Sequence, residues 1–543
     1  MNDPDPDRAD IVIVGGGSAG CVLAARLSED PSLRVTLLEA GQPTRYRWID
    51  IPIGYFKTVG NPRFDWRFET EPEPELDGRR VPWPRGKGPG GTSLINGMLY
   101  LRGHRADYDQ WAALGNAGWG WDDVLPYFRK AMHRAQAAAA HDGVGGPLWV
   151  SNLSRDPLSD AFVEAAAATG IGRSADFNAG DNSGAGYFQM TTRNGRRMST
   201  YAAYLQPALA RPNLRVIAGA QATRIRFDGR RATGVEFVGD GARRTIDATH
   251  EVIVSAGAIQ SPQLLQLSGI GAPALLEQFG IAPVAPLDGV GSNLQDHLQL
   301  RPVYRCSGAE TLNDIAHSRW RGARELLKYL LFRSGALNEA VYRAGAFFAS
   351  DERHAGWPDA QIHFGLVSFD RPHQPPHPFA AVTLSACLLR PDSRGTVEIR
   401  SADPAAAPAI RAGYLSAPAD RALAVDLLRR MREIATAPPL ARFLTGEFEP
   451  GPALTTDDEL LGWIRRRACS IFHPVGTCAM GPADDACAVV DARLRVHGLE
   501  RLRVVDGAVM PRIVSGNTNA PIIMIAERAA DLIREDLRGS AGS

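Results

Sequence analysis

The chain carries no net charge: 60 Lys and Arg balance 60 Asp and Glu over 543 residues. That removes the basic footprint by which proteins hold nucleic acid. Cysteine is scarce. The six residues are Cys21, Cys306, Cys387, Cys469, Cys478 and Cys487, and none stands in C-x-x-C spacing. So few thiols over such a length exclude a disulfide framework. They read as small buried hydrophobes, Cys478 included. No apolar run approaches the ~18 residues of a spanning helix. The first ten residues, Met1 to Asp10, are acidic and proline-bearing, the opposite of a secretory signal. A cytoplasmic location is therefore expected, with peripheral membrane contact left open. What remains, 44% hydrophobic and 22% charged residues, is the composition of an ordinary globular enzyme. The length calls for two or more domains, which need not be contiguous.

The strongest local signal is at the start. An apolar run, Ile11-Val12-Ile13-Val14, breaks into Gly15-Gly16-Gly17-Ser18-Ala19-Gly20, and the Ala- and Leu-rich Cys21 to Leu27 follows. This is G-x-G-x-x-G between a strand and a helix. A second run, Val35-Thr36-Leu37-Leu38, ends in Glu39 and Ala40. Gly15 permits the tight turn, Gly17 lets backbone approach a pyrophosphate, and Gly20 lets helix pack on strand. The helix N-terminus offers Ser18 and Ala19 amides and a positive dipole end to phosphate. Glu39 is placed to accept from ribose hydroxyls. Strand, helix and acid in this order point to dinucleotide binding.

Further along, Ile49 to Trp83 is a proline- and aromatic-rich excursion with little periodicity. Pro126 to Met132 reads as a helix end, and Ala135 to Ala140 with Gly143 to Gly146 as a surface loop. Leu214 to Asn293 alternates strands and helices. Within it Val252-Ile253-Val254 is a buried strand, and a helix is expected to start at Ser261 with Pro262 in its first turn. From Leu300 to about Phe448, short runs such as Gln361 to Phe364 and Thr396 to Ile399 suit a mixed or antiparallel sheet. His373 and His377 have i, i+4 spacing, but the prolines of Arg371 to Pro378 forbid the helix that would align them. No metal site is expected. Leu502 to Val505 reads as a strand and Ile522 to Leu532 as a terminal helix. The expected fold is α/β, α+β overall: a Rossmann-like dinucleotide domain with a substrate domain on a mostly antiparallel sheet with helices. The division expected is 1–45, 76–150, 214–300 and 465–543 for the first, and 46–75, 151–213 and 301–464 for the second.

Four segments in order resemble the glucose–methanol–choline family of flavin-dependent alcohol oxidoreductases. They are the N-terminal fingerprint, the run Gly86-Lys87-Gly88-Pro89-Gly90-Gly91-Thr92-Ser93-Leu94-Ile95-Asn96-Gly97, the run Gly257 to Gly271, and a C-terminal set. That last set is His473-Pro474-Val475-Gly476-Thr477, then Asp506-Gly507, then Gly516-Asn517-Thr518-Asn519-Ala520. Tyr100 to His104 and Val290 to His297 fit the branch that holds choline and sorbose dehydrogenases. The resemblance implies FAD. It sets Gly91, Thr92, Asn96, Gly97 and Leu99 on the flavin side, Ala222 against adenine, and Asp506, Thr518 and Asn519 at the middle of the cofactor and the flavin ring. Phe472 would touch the flavin edge. Ile95 stands where some relatives carry a histidine bonded to flavin, so FAD is expected to be non-covalent. Pro89 replaces a branched aliphatic residue.

Oxidising an alcohol needs a proton taken from the hydroxyl while hydride leaves for flavin N5. The resemblance gives that base role to His473, whose residue type titrates near neutrality. Asn517 matches the partner position, where an amide can hold the substrate oxygen but cannot act as a base. His363 is a pocket candidate. Asp296 and His297 read as domain structure. Choline needs a carboxylate or aromatic cage, and Arg343 stands where relatives often carry an acid. If it faces the pocket, a neutral or anionic primary alcohol or polyol is favoured. Oxygen, a quinone or another acceptor would reoxidise the flavin. The competing readings are choline dehydrogenase proper, a non-redox FAD-containing lyase on the same fold, and a nicotinamide enzyme or non-catalytic dinucleotide module.

Overall fold

A computed structural model gives the architecture and describes residues 7–43, 45–134, 137, 139–370 and 374–541. The expectations for Met1 to Pro6, for parts of Ala135 to Ala140 and for His373 lie outside the described residues. In chain order, the strands of the two large sheets are β1 (Arg8–Val14), β2 (Val35–Glu39), β3 (Gly184–Tyr187), β4 (Leu214–Ala218), β5 (Gln221–Asp228), β6 (Arg231–Gly239), β7 (Ala242–Val254), β8 (Leu298–Leu300), β9 (Val303–Cys306), β10 (Tyr342–Phe348), β11 (Ala360–Gly365), β12 (Ala381–Leu388), β13 (Leu444–Glu449), β14 (Cys469–Ser470) and β15 (Leu502–Val504). The helices that matter below are α1 (Ser18–Leu27), α2 (Gly257–Leu267), α3 (Arg319–Phe332) and α4 (Asn519–Ala541).

The first sheet runs β4-β2-β1-β7-β6-β5, with β15 also on β7. Neighbours from β4 to β7 are parallel, as is the β7–β15 pair, while β5, β6 and the start of β7 form an antiparallel meander. The 13 residues of β7 make this branching possible. Its first half pairs β6, and its last three residues, Val252–Val254, apolar and fully buried, lie between β1 and β15. Ile11, Val12 and Ile13 of β1 have no exposed surface, which a parallel strand covered on both faces requires. This is the Rossmann-type arrangement expected. Helix α4 packs on α1, and Arg26 of α1 makes two 2.8 Å bonds to the fully buried Glu527. Tyr204 Oη donates to the same carboxylate at 2.9 Å and Lys130 Nζ lies 3.6 Å from it, so the buried charge is held from three sides.

The second sheet is antiparallel in the order β13-β9-β12-β11-β10-β3, with β8 joining β12 to β14. Every residue of β11 and β12 is buried, so this sheet too is covered on both faces. Among the described residues no helix is long and apolar enough to cross a membrane.

Two helix boundaries differ from expectation. Helix α2 begins at Gly257, four residues before Ser261, so Pro262 lies inside it rather than in the first turn. A proline there leaves the carbonyl four residues back without its amide. Thr477 Oγ1 donates to that carbonyl, Ala258 O, at 2.7 Å. Helix α4 begins at Asn519 rather than Ile522, with Pro521 in the first turn, and runs on to Ala541.

Candidate active site

The sheets meet around a cavity of about 330 Å³. It is lined by Gly15, Gly17, Ser18, Ala19, Glu39 and Ala40 from the first strand–helix–strand unit, and by Gly91, Thr92, Ile95, Asn96, Gly97 and Leu99 from the second glycine run. Ala222, Phe472, His473, Asp506, Asn517, Thr518 and Asn519 join them. Of the residues the sequence put at the site, only Gly20 stands off the cavity wall. A Cβ there would sit 1.9 Å from Gly15 O, so Gly20 lets α1 close on the turn. Gly15 has φ +100°, and a Cβ there would lie 2.5 Å from Ser255 O. Gly17 and Gly97 differ: a Cβ would meet only Ser255 O, at 3.9 Å, and nothing within 4 Å, respectively. Both face open space, as a cradle for a dinucleotide must. Ser18 Oγ donates to Asn519 Oδ1 at 2.7 Å, which brings the N-termini of α1 and α4 together at this wall.

The two acids of the lining are engaged by the protein. Glu39 accepts from Gly16 N (2.8 Å), Gly41 N (2.7 Å) and Gly88 N (3.0 Å), clamping three glycine turns to one carboxylate. Burial raises its pKa, against those three amides. Its Oε2 bears a single protein donor, leaving capacity for a ribose hydroxyl. Asp506 accepts from Gly257 N, Ser261 Oγ and Ala508 N at 2.6–2.8 Å. Its carboxylate therefore caps α2 rather than reaching across the cavity. Asn96 is held by Arg197 Nη1, 2.8 Å from its Oδ1.

His473 sits in a hydrogen-bond chain that fixes its tautomer. His297 Nε2 lies 3.0 Å from Leu389 O, and a carbonyl can only accept. His297 Nε2 therefore carries the proton. Burial depresses the His297 pKa to about 3, so the ring is neutral and its Nδ1 is an acceptor. His473 Nδ1, 3.0 Å away, must donate to it. The proton of His473 is thus on Nδ1, and Nε2 holds a lone pair. Burial first, then the neighbouring His297, His363 and Arg85, push the His473 pKa well below 6.5. A neutral imidazole with a free Nε2 is a proton acceptor ready for use.

The backbone around it is held as firmly. His473 N donates to Asp296 Oδ1 at 2.7 Å, and Asp296 Oδ2 accepts from Ser470 Oγ (2.6 Å) and Tyr414. Phe472 has φ +70°, strained for an aromatic residue. Ser470 Oγ takes its N–H at 2.7 Å, and Arg85 Nη2 donates to its carbonyl at 2.6 Å. Asp296 and His297 are therefore site-supporting residues, not merely domain structure. They lie 177 and 176 residues from His473. The one sequence signal was their place in the Val290 to His297 run.

His363, on β11, also lines the cavity. Its Nε2 accepts from Gln361 Nε2 at 3.0 Å, so its proton is on Nδ1, and burial lowers its pKa to about 4. His363 Nδ1 and Asn517 Oδ1 are buried and make no hydrogen bond of ideal geometry, but Asn517 and the Ser385 backbone lie beside His363 and work against the lowering of its pKa. The loop before Asn517 is pinned by Asp107, which accepts from Ser515 N and Oγ at 2.7 Å. Arg343 is a correction. It does not line the cavity, and its guanidinium lies 3.1 Å from Glu339 and 3.6 Å from Asp156. Its neighbour Tyr342 lines the cavity, whereas Arg343, at the bulge between Tyr342 and Ala344, is held by those two acids instead. The cations that do line it are Arg301, just beyond β8, and Arg85.

Residues 9–299 and 391–526 match the N- and C-terminal halves of the GMC oxidoreductase profile. The chain belongs to the GMC oxidoreductase family. It is 42% identical over 530 residues to an alcohol dehydrogenase [acceptor] of Pseudomonas putida, covering 96% of this chain and 95% of that one. It is 41% identical over 539 residues to the mitochondrial choline dehydrogenase of Mus musculus, covering 97% and 90%. Pyridoxine 4-oxidase from Mesorbium loti superposes with a TM-score of 0.88 at 32% identity, over 97% of this chain and 99% of that one. This GMC oxidoreductase is an FAD-dependent enzyme acting on CH–OH donors, which displaces the nicotinamide and non-catalytic readings. The open glycine cradle and paired helix N-termini fit FAD, and Ile95, on the cavity wall, offers no nucleophile for a covalent link.

Proposed function

We propose that this enzyme oxidises a primary alcohol or polyol, neutral or anionic, to the aldehyde or ketone. His473 Nε2 takes the hydroxyl proton and Asn517 holds the hydroxyl oxygen. The observation that carries this reading is the chain Leu389 O–His297–His473, which leaves one lone pair on His473 facing the cavity wall. Asn517 donates through its amide as alkoxide charge develops; a donor in such a place contributes on the order of 10²–10³ in rate. The residues proposed to hold FAD are Gly15, Gly17, Ser18, Ala19, Gly20, Glu39, Ala40, Gly91, Thr92, Asn96, Gly97, Leu99, Ala222, Phe472, Asp506, Thr518 and Asn519. FAD, when bound, supplies the hydride acceptor. Oxygen, a quinone or another acceptor then takes the electrons. The two sheets support the discontinuous division into FAD and substrate domains. Six unpaired cysteines fit a reducing, cytoplasmic setting.

Substrate charge is argued from Arg301. Its Nε and Nη2 are buried and meet no oxygen or nitrogen acceptor, with only the Cys469 thiol beside the guanidinium. Among the described residues no carboxylate lies within 4.0 Å of it. Its guanidinium lies 4.2 Å from the Phe369 ring centroid, occupying that aromatic face in place of a substrate cation. A guanidinium with no carboxylate partner favours an acceptor or anion and disfavours a cation.

The test is a substrate panel of choline, its uncharged isostere dimethylbutanol, and a hydroxybutanoate. The expected result is kcat/KM for choline at least about tenfold below the other two. Arg301→Gln lowers kcat/KM for the hydroxybutanoate by about 10- to 100-fold, the worth of a charged hydrogen bond, and leaves dimethylbutanol within about threefold. Preferential turnover of choline would overturn the substrate reading.

A further inference from the structure

Helix α3 is built inside out. Its buried residues are Glu325 and Tyr329, while its apolar side chains face outward. Trp320 is 81% exposed, Leu327 57%, Leu331 62% and Phe332 73%, with Leu326 and Leu330 also exposed. Trp320, Leu327, Leu330 and Leu331 recur at i, i+7, i+10 and i+11, which places them on one stripe. The polar face is the one in use. Glu325 accepts from Ala336 N at 2.8 Å and Lys328 Nζ at 2.9 Å, and Tyr329 donates to Gly195 O at 3.0 Å. Water is a poor solvent for such a stripe, and a patch this continuous marks a docking face.

Charge identifies what covers it. Arg319, Arg324 and Lys328 are exposed on the same helix, Arg324 paired with Glu310 and Glu325 and Lys328 with Glu325. The residue that α3 grips, Gly195, lies between Arg193 and Arg196. These two line a second cavity together with Arg45, Arg47, Lys87 and Arg333, and among the described residues Asp50 is the one acid in that wall. Among the described residues, Arg45, Arg47, Arg193 and Arg196 take part in no ion pair. A Trp-bearing apolar stripe bordered by unpaired arginines is the pattern of a helix lying in an anionic lipid surface. A second copy of the chain would instead bring like charges together.

We propose that α3 and the adjoining basic cavity dock this enzyme on an anionic phospholipid bilayer, with Trp320, Leu327, Leu330 and Leu331 entering the interface. The turn after α3, Ala336–Asn338, packs on Pro52–Gly54. The next residues, Tyr55 and Phe56, line the catalytic cavity. The docked face thus adjoins the substrate wall, so that an apolar alcohol or a lipid-borne acceptor arrives from the bilayer side.

The experiment is cosedimentation of the FAD-loaded protein with vesicles of phosphatidylcholine alone, or with one third phosphatidylglycerol. The expected result is strong partition onto the anionic vesicles and weak partition onto the neutral ones. Trp320→Ser with Leu327→Ser and Leu331→Ser lowers partition at least about a hundredfold. Arg45→Gln and Arg193→Gln each lower it about fivefold at low salt, a difference that fades at high salt. These exposed substitutions leave bound flavin and turnover of a water-soluble alcohol with a soluble dye unchanged, showing that the variants fold. Absence of vesicle binding would overturn the proposal. So would a concentration-dependent dimer, abolished by the serine variant, in a protein that ignores vesicles.

Discussion

Replacing His297 by Leu removes the acceptor that holds the His473 proton on Nδ1. The imidazole of His473 can then turn or exchange tautomers, and Nε2 no longer presents its lone pair reliably. Two effects follow from the geometry. The Leu389 carbonyl loses its 3.0 Å donor, costing about 1–3 kcal/mol of stability. General-base catalysis contributes about 10²–10⁴ in rate, and most of that is forfeited when the tautomer is unfixed. We expect the rate of flavin bleaching by alcohol, followed anaerobically by stopped flow, to fall at least about 100-fold in His297→Leu. His297→Asn keeps an acceptor oxygen near the Nδ1 position and should recover about tenfold. In a His473→Ala background, His297→Leu should add less than about threefold, because residues acting as one unit are non-additive. A His297→Leu enzyme bleaching within threefold of wild type, or losses that multiply in the double variant, would refute the tautomer argument.

Other outcomes follow from the same structure. Gly20→Ala sets a Cβ 1.9 Å from Gly15 O; α1 must shift, and the protein should be recovered with little bound FAD, read from its visible absorbance. Acid should destabilise the fold. His297 and His363 have folded pKa values near 3 and 4, and that of His473 is also depressed. Below about 6.5 the unfolded chain therefore binds protons that the folded one refuses. The stabilisation is present above that pH and is lost as pH falls, at roughly 1.4 kcal/mol per pH unit for each histidine. Thermal melts from neutral pH to about pH 5 check this, and a flat profile would contradict it. By the same sign, the acid limb of kcat/KM from His473 should lie below pH 6.5.

The glycine fingerprint was legible because its logic is local: turn, helix and acid lie within 30 residues and each has a steric or dipolar cause. The Val252–Val254 end of β7 and the alternating β11 were legible for the same reason. What sequence could not show were contacts closed by distant chain. Pro262 is tolerated inside α2 because Thr477, 219 residues on from Ala258, supplies the missing donor. His297 looked like scaffold because its partner is 176 residues away. Arg343, beside Ala-Gly, bears on the substrate only if it faces the pocket; it pairs with Glu339 and Asp156 instead, and Arg301 and Arg85 line the cavity. Glu39 read as a ribose ligand, whereas its first task is to clamp Gly16, Gly41 and Gly88.

The most direct test of the central claim is the visible spectrum of the purified protein, taken anaerobically before and after adding alcohols, beside His473→Ala. The account predicts a yellow protein bleached by a neutral or anionic primary alcohol, and bleaching slowed at least about 100-fold in the variant. A yellow protein that no alcohol bleaches would favour the lyase reading, and a variant bleaching as fast as wild type would remove His473 from the base role.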